Sequence, residues 1–293
     1  MNYKSTKTDN ENDNPIKPFL RWAGGKTHSI PFLVAHLPRN FNSNATRYFE
    51  PFLGGGSLFF HLRPQKAVLS DVNEDLIECY KAIQQNPILV SRYLKQHLSK
   101  TSETYYYDMR DKYNRARHSV YRAALFIYLN KTCFNGIWRV NKKGVFNVPY
   151  GKQEHPSLPT KKELIRISEA LSHAEIVHCN YKDIIHRVQK GDFVYLDPPY
   201  PPLNSTSNFT QYTAEDFTKE DHKELALFSR KLTGKGCYVL ISNSDTEYIR
   251  SLFKDDFHIF ELEVTRLIRA DGHRYKVKEI AITNYEVGDK ATL

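Results

Sequence analysis

Only four cysteines occur in the 293 residues, Cys79, Cys133, Cys179 and Cys237, and no two of them form a C-x-x-C pair. That spacing excludes a zinc ribbon and suggests no disulfide framework. The twelve histidines include no H-E-x-x-H, so buried thiols and surface imidazoles are the reading and no metal is expected. No apolar run approaches the ~18 to 20 residues of a membrane span, and the polar start MNYKSTKTDNENDN lacks a signal-peptide core. The chain is therefore expected to be cytoplasmic and to have no membrane partner, with its first ~16 residues disordered. A phosphate loop is also missing. RWAGGKT (Arg21 to Thr27) ends like one, but G-x-x-x-x-G-K-[ST] requires a glycine where Leu20 stands and an apolar strand where the polar tail lies. A nucleotide-dependent ATPase is disfavoured on both counts.

What is present describes an ordinary globular chain, 40% hydrophobic and 26% charged, long enough for one large or two moderate domains. The net charge of +9 is concentrated: between Ile88 and Thr160 stand 13 Lys or Arg against 4 Asp or Glu, an excess equal to that of the whole chain. Interleaved with these charges are Tyr105, Tyr106, Tyr107, Tyr113, Tyr121, Tyr128, Phe134, Trp138, Phe146 and Tyr150. The mixture suits phosphate contacts and base stacking, although a solvated basic face over an aromatic core has the same composition.

Seven short β-rich runs are separated by turn residues: RYFEPF (47 to 52), KAVLSD (66 to 71), AEIVHC (174 to 179), DFVYLD (192 to 197), CYVLIS (237 to 242), HIFELEV (258 to 264) and KEIAITNY (278 to 285). Helical patterns between them, such as 74 to 85, 215 to 232 and 246 to 253, predict an α/β sheet, mostly parallel and covered on both faces. The last two runs have no helix between them and should pair as an antiparallel hairpin. Residues 88 to 172 break the rhythm with helices, the clearest at 119 to 131, and a Gly/Asn/Pro-rich loop. They read as a mainly helical lobe inserted between residues 17–87 and 173–293.

Three places carry chemistry. In EPFLGGGSLFF, Gly54, Gly55 and Gly56 turn the chain after the first strand and open a helix, which lets backbone approach a ligand. The second strand ends at Asp71, 17 residues after Gly54, where an acidic residue accepts hydrogen bonds from ribose hydroxyls. Together they point to a nucleoside-containing cofactor, either NAD or S-adenosylmethionine; the absence of G-x-G-x-x-G counts against a dinucleotide. In DFVYLDPPYPPL the fourth strand closes on Asp197, Pro198, Pro199 and Tyr200, which project a carboxylate, stiff carbonyls and an aromatic ring at one sheet edge.

With these motifs the sequence resembles the Dam-type DNA adenine-N6 methyltransferases (D12 class, alpha group). The likeness runs from about Lys17 to Tyr285 through FLRWAGGK, YFEPFLGGGSLFF, LSDVNEDLI, FNGIWRVNKKGVFNVPYGK, VYLDPPYPPL, NFTQYT, LISNSD and KEIAITNY, in that order. It implies a Rossmann-like S-adenosyl-L-methionine-dependent methyltransferase sheet with a target-recognition lobe at 88–172. Trp22 and Lys26 would hold the methionine end of the cofactor, Asp71 its ribose, and Phe52 and Gly54 would line the pocket. Asp197 would also reach it, and would join Pro198, Pro199 and Tyr200 in gripping a flipped adenine. Relatives often have Gly-Asp-Phe where this chain has Cys179-Asn180-Tyr181; Tyr181 would stack on the cofactor adenine and the Asn180 side-chain carbonyl would accept from its amino group. On double-stranded DNA, Arg139 would read a guanine, Ile137 and Pro149 would offer apolar contact to a thymine methyl, and Phe134 and Asn135 would occupy the gap or pair with the base left behind. Arg21 and Lys152 stand where relatives carry other basic residues. The resemblance favours GATC as target and a monomer. The alternatives are a restriction-associated adenine methylase of different target, with a separately encoded endonuclease, and a non-catalytic DNA-binding protein.

Overall fold

A computed structural model describes residues 15–100, 102–153, 155–201, 217–267 and 274–287. Most of the expected disordered tail (residues 1–14), the NFTQYT segment and residues 268–273 lie outside it. The seven β-rich runs are strands β1 (Tyr48–Glu50), β2 (Ala67–Asp71), β3 (Ala174–His178), β4 (Phe193–Leu196), β5 (Tyr238–Ser244), β6 (His258–Leu267) and β7 (Arg274–Thr283). They form one sheet in the order β3-β2-β1-β4-β5-β7-β6. β1 to β5 pair in parallel. β6 and β7 pair antiparallel as the sequence suggests, with β7 set between β5 and β6. Alternate residues serve two apolar clusters: Tyr48, Leu69, Phe193, Tyr195 and Leu240 belong to one, and Phe49, Val68, Val194, Leu196, Val239 and Ile241 to the other. The central strands are apolar at nearly every position because both faces are covered.

The described helices are α1 (Ile30–Ala35), α2 (Ser57–Leu62), α3 (Glu74–Gln85), α4 (Pro87–Lys95), α5 (Glu103–Arg115), α6 (Val120–Thr132), α7 (Lys161–Leu171), α8 (Lys219–Gly234) and α9 (Glu247–Phe253). Their ends follow local chemistry. Asn73 caps α3 by accepting from the Leu76 N–H, with Glu74 and Asp75 in the first turn, where helix-terminal N–H groups favour negative charge. Thr160 with Glu163, and Thr218 with Asp221, close reciprocal capping boxes on α7 and α8. Among the described residues no helix is long and apolar enough to cross a membrane.

The four helices α4 to α7 lie between β2 and β3 in the chain. Their core is continuous with that of one sheet face: Leu94, Tyr106, Leu125 and Leu164 belong to the same cluster as Leu69 and Phe193. The basic-aromatic segment contributes several of its rings to this core. Tyr106, Tyr113, Tyr128, Trp138 and Phe146 are all buried, and of the ten aromatics only Phe134 is an exposed residue. Tyr105, Tyr107, Tyr121 and Tyr150 are half-buried against the core, Phe134 is exposed, and the other five rings are therefore core. Apolar area of this size dominates folding energetics and outweighs any surface role for these side chains.

After β1 the chain moves outward to β2 and β3, then returns to place β4 on the other side of β1. The connections therefore diverge above the carboxyl ends of β1 and β4, which opens a crevice at the point where ligands bind in open α/β sheets. The glycine turn follows β1, and Asp197 to Tyr200 follow β4.

Candidate active site

A cavity of about 650 Å³ occupies that crevice, lined among others by Trp22, Lys26, Gly54, Asp71, Asp197 and Tyr200. The sequence motifs, far apart in the chain, meet here. Gly54 sits at φ +45°, and a Cβ built there would lie 2.7 Å from Cδ1 of Trp22. The glycine is thus required both by conformation and by the approach of the indole. Its N–H donates to Asp71 Oδ2 at 3.0 Å, and its carbonyl accepts from the Tyr80 hydroxyl at 3.0 Å. Asp71 Oδ1 also accepts from the Asn73 N–H at 2.9 Å. Burial pushes the Asp71 carboxyl above the usual carboxylate range, against the pull of the N–H groups of Gly54, Asn73 and Val72. A carboxylate offers about four lone-pair sites, so acceptor capacity remains for a ligand hydroxyl.

Lys26 is 3% exposed, an unusual burial for an ammonium. Its Nζ pairs with Asp197 Oδ1 at 2.8 Å, donates to the Gly24 carbonyl and lies 4.6 Å from the centre of the Tyr200 ring. Asp197 Oδ1 also accepts from Ser242 Oγ at 2.7 Å, and the Tyr195 hydroxyl lies 2.9 Å from that Oγ. Strand register explains the contact: Leu196 pairs with Ile241, so Asp197 emerges beside Ser242. Glu50, at the end of β1, faces the same cavity at 2% exposure and accepts from Tyr48 Oη at 2.7 Å. Burial pushes its carboxyl up to about 8, with the charge of Asp197 adding and the Tyr48 hydrogen bond opposing.

At the far end of the cavity Phe52, Tyr181 and Phe217 form an aromatic wall. The sequence reading gives a face of Tyr181 to a cofactor ring. The structure instead stacks Phe52 on Tyr181, at 5.1 Å between centroids and 27° between planes, and sets Phe228 edge-on at 5.2 Å. Tyr181 is 5% exposed and Phe52 is half-buried, and both line the cavity. Asn180 lines the cavity, but its side-chain carbonyl already accepts from the Lys182 N–H at 3.0 Å, capping the turn at Tyr181–His186.

The hairpin motif lies away from this cavity. A 3-10 turn at Phe134–Gly136 carries Asn135 at φ +53° and Phe134 at 47% exposure. Val140 and Phe146 bridge antiparallel, and flanking them Arg139 Nε donates to Asn147 Oδ1 at 3.0 Å. Arg139, Pro149 and Lys152 are exposed, and Ile137 is half-buried. Arg21 is exposed beside the turn, and burial together with the Arg21 charge lowers Lys131 to about 8. Cations crowded at one surface in this way suit a polyanion.

Sequence reasoning missed Glu50, Ser242, Tyr195, Phe217 and Asp221, all at or beside the cavity. A carboxylate within the buried strand Tyr48-Phe49-Glu50, and the polar Ser242-Asn243-Ser244 closing an apolar strand, were signals that could have found the first two. Asp221 lay hidden as a helix cap.

The family described as D12 class N6 adenine-specific DNA methyltransferase matches residues 22–268. Type II methyltransferase M1.LlaDCHI of Lactococcus lactis subsp. cremoris is 40% identical over 92% of this chain and 96% of its own. Type II methyltransferase M.MjaIII of Methanocaldococcus jannaschii is 38% identical, with 92% and 99% covered. DNA adenine methylase of Escherichia coli (strain K12) is 33% identical, with 93% and 96% covered. The chain is an adenine-specific DNA methyltransferase and belongs to the D12 class of N6 adenine-specific enzymes.

Proposed function

We propose that this methyltransferase uses S-adenosyl-L-methionine as donor, acts on double-stranded DNA with GATC as its target, and transfers the methyl group at Asp197-Pro198-Pro199-Tyr200. The observation that carries the reading is the convergence of Lys26, Asp71 and Asp197 on one crevice beside an aromatic wall. These residues fit the donor: Asp71 has acceptor capacity for a ribose, Phe52 a face for an adenine, and Trp22 and Lys26 an indole and a cation for the methionine end. When bound, the donor supplies an electrophilic methyl carbon on a sulfonium.

The chain's own residues do the rest. Adenine N6 is a poor nucleophile because its lone pair is delocalised into the ring. The Pro198 carbonyl and Asp197 accept its two N–H bonds and draw the nitrogen toward tetrahedral geometry. Among the described residues the polar contacts of Asp197 fall on Oδ1, which leaves Oδ2 for the base. Pro198 and Pro199 have no N–H to compete for these acceptors and hold the turn stiff. Tyr200 stacks on the extruded base, a contact worth ~1 to 3 kcal/mol. The base has to be flipped because its reacting atom lies inside the duplex.

Residues 88–172 serve as the recognition lobe and 17–87 with 173–293 as the catalytic part. In the lobe Arg139 reads a guanine, Ile137 and Pro149 a thymine methyl, and Phe134 and Asn135 occupy the gap or pair with the base left behind, and Lys152 of the lobe and Arg21 of the catalytic part also contact the DNA. The likeness of the 134–152 hairpin supports GATC, and the two relatives named type II methyltransferases support a separately encoded restriction endonuclease as partner. We take the enzyme to act as a cytoplasmic monomer. DNA from cells expressing it, digested with GATC-reading enzymes of opposite methylation sensitivity, tests the target: protection from one and cutting by the other is expected, and an unchanged pattern overturns GATC.

A further inference from the structure

Asn130, near the carboxyl end of α6, is fully buried, and its side-chain amide is committed on every side. Its Oδ1 accepts from the Arg21 N–H at 2.8 Å, and its Nδ2 donates to the Arg21 carbonyl at 2.7 Å and to the Gly136 carbonyl at 3.3 Å. The segment Arg21 to Lys26 has no helix or strand of its own, so the backbone groups of Arg21 depend on this side chain. The amide pairs with it as a neighbouring strand would, across 109 residues of chain. Contact between the two loops is also steric: Gly136, at φ +66°, is so close that a Cβ there would lie 2.5 Å from Cβ of Arg21.

One of the joined loops carries Trp22 and Lys26 into the cavity, and the other carries Phe134 and Asn135 on the surface. A single buried amide therefore fixes both. Resting on the reading above, which gives the first loop to the cofactor and the second to DNA, we infer that Asn130 is a positioning residue that couples the two binding events. Ordering of the Arg21–Lys26 loop by the cofactor sets Gly136 and, with it, the turn that fills the gap in the duplex. DNA binding acts on the cofactor loop by the same route. Such coupling is reciprocal by thermodynamic necessity, and typical couplings change an affinity by roughly 5- to 150-fold.

The test uses the whole chain and S-adenosylhomocysteine, the demethylated product, so that no turnover intervenes. Its dissociation constant is measured with and without a short duplex carrying the sequence that the digestion assay identifies. The wild type is expected to bind roughly tenfold tighter with the duplex. Asn130→Ser, which removes the donors to Arg21 and Gly136, should bring that ratio to near one. Gly136→Ala, which breaks the same contact from the other loop and leaves the amide in place, should do so too. Unfolding midpoints of all three proteins identify any variant that does not fold, and the other variant then decides. A wild-type ratio of one, or a folded variant that keeps the wild-type ratio, overturns the inference. A wild type that binds no S-adenosylhomocysteine at all would instead count against the cofactor reading.

Discussion

Glu50 illustrates how a residue can be prominent in the structure and nearly silent in the sequence. Its carboxyl is pushed up to about 8, so between its ordinary value near 4.5 and that point the folded chain holds a proton that the unfolded chain has lost. The sign follows: the contribution is present in full below the unfolded value and is lost as pH rises to the folded one. Denaturant unfolding at about pH 5 and about pH 8 should show a stability difference between them that shrinks in Glu50→Gln, a substitution that keeps the acceptor for Tyr48. Groups common to both proteins cancel in that comparison, and an unaltered difference would mean that Glu50 is ionised in the fold. Arg139 is the second residue with a defined expectation. If it reads a base, Arg139→Ala costs ~1 to 3 kcal/mol and relaxes discrimination at one base pair. Competition between duplexes with single substitutions measures this, and a uniform loss over all of them would reduce Arg139 to a phosphate contact.

At the scale of elements, the turn after β1 is the most constrained piece. Gly54→Ala would place a residue at φ +45° and a methyl against the Trp22 indole. A non-glycine residue held in such a conformation costs ~1 to 3 kcal/mol. Titration with S-adenosylhomocysteine should show affinity reduced about tenfold or more, and unchanged affinity would mean that neither this turn nor Trp22 holds the cofactor. This turn, the seven strands and the Asp-Pro-Pro-Tyr corner were legible in the sequence because each is a local pattern of apolar runs, glycines or prolines. What was not legible depends on pairing across the chain. The fate of the aromatics is the clearest case: Trp138 and Phe146 stack on each other at 4.2 Å within the core, and nothing local separates that from a base-stacking surface. Ser242 reaches Asp197 only through the β4–β5 register. Phe52, just after β1, covers Tyr181, just after β3, although β2 lies between the two strands in the sheet. The buried amide of Asn130 would have read as one more polar residue on a helix.

For the whole molecule, charge and apolar area are unevenly distributed. The excess of nine positive charges lies within Ile88 to Thr160, where five of the ten interleaved aromatic rings are buried. The crevice lies at the switch of strand order, and the 134–152 hairpin contributes no residue to its lining. The central claim is that Asp197 grips the target amine during transfer from S-adenosyl-L-methionine. It is tested by incubating the purified chain with unmethylated duplex DNA and that donor, hydrolysing the DNA and quantifying N6-methyladenine by mass spectrometry. Wild type should accumulate it, and Asp197→Ala should yield none while unfolding at a comparable temperature. Undiminished N6-methyladenine from a folded Asp197→Ala protein, or methyl groups found on a base other than adenine, would contradict the mechanism.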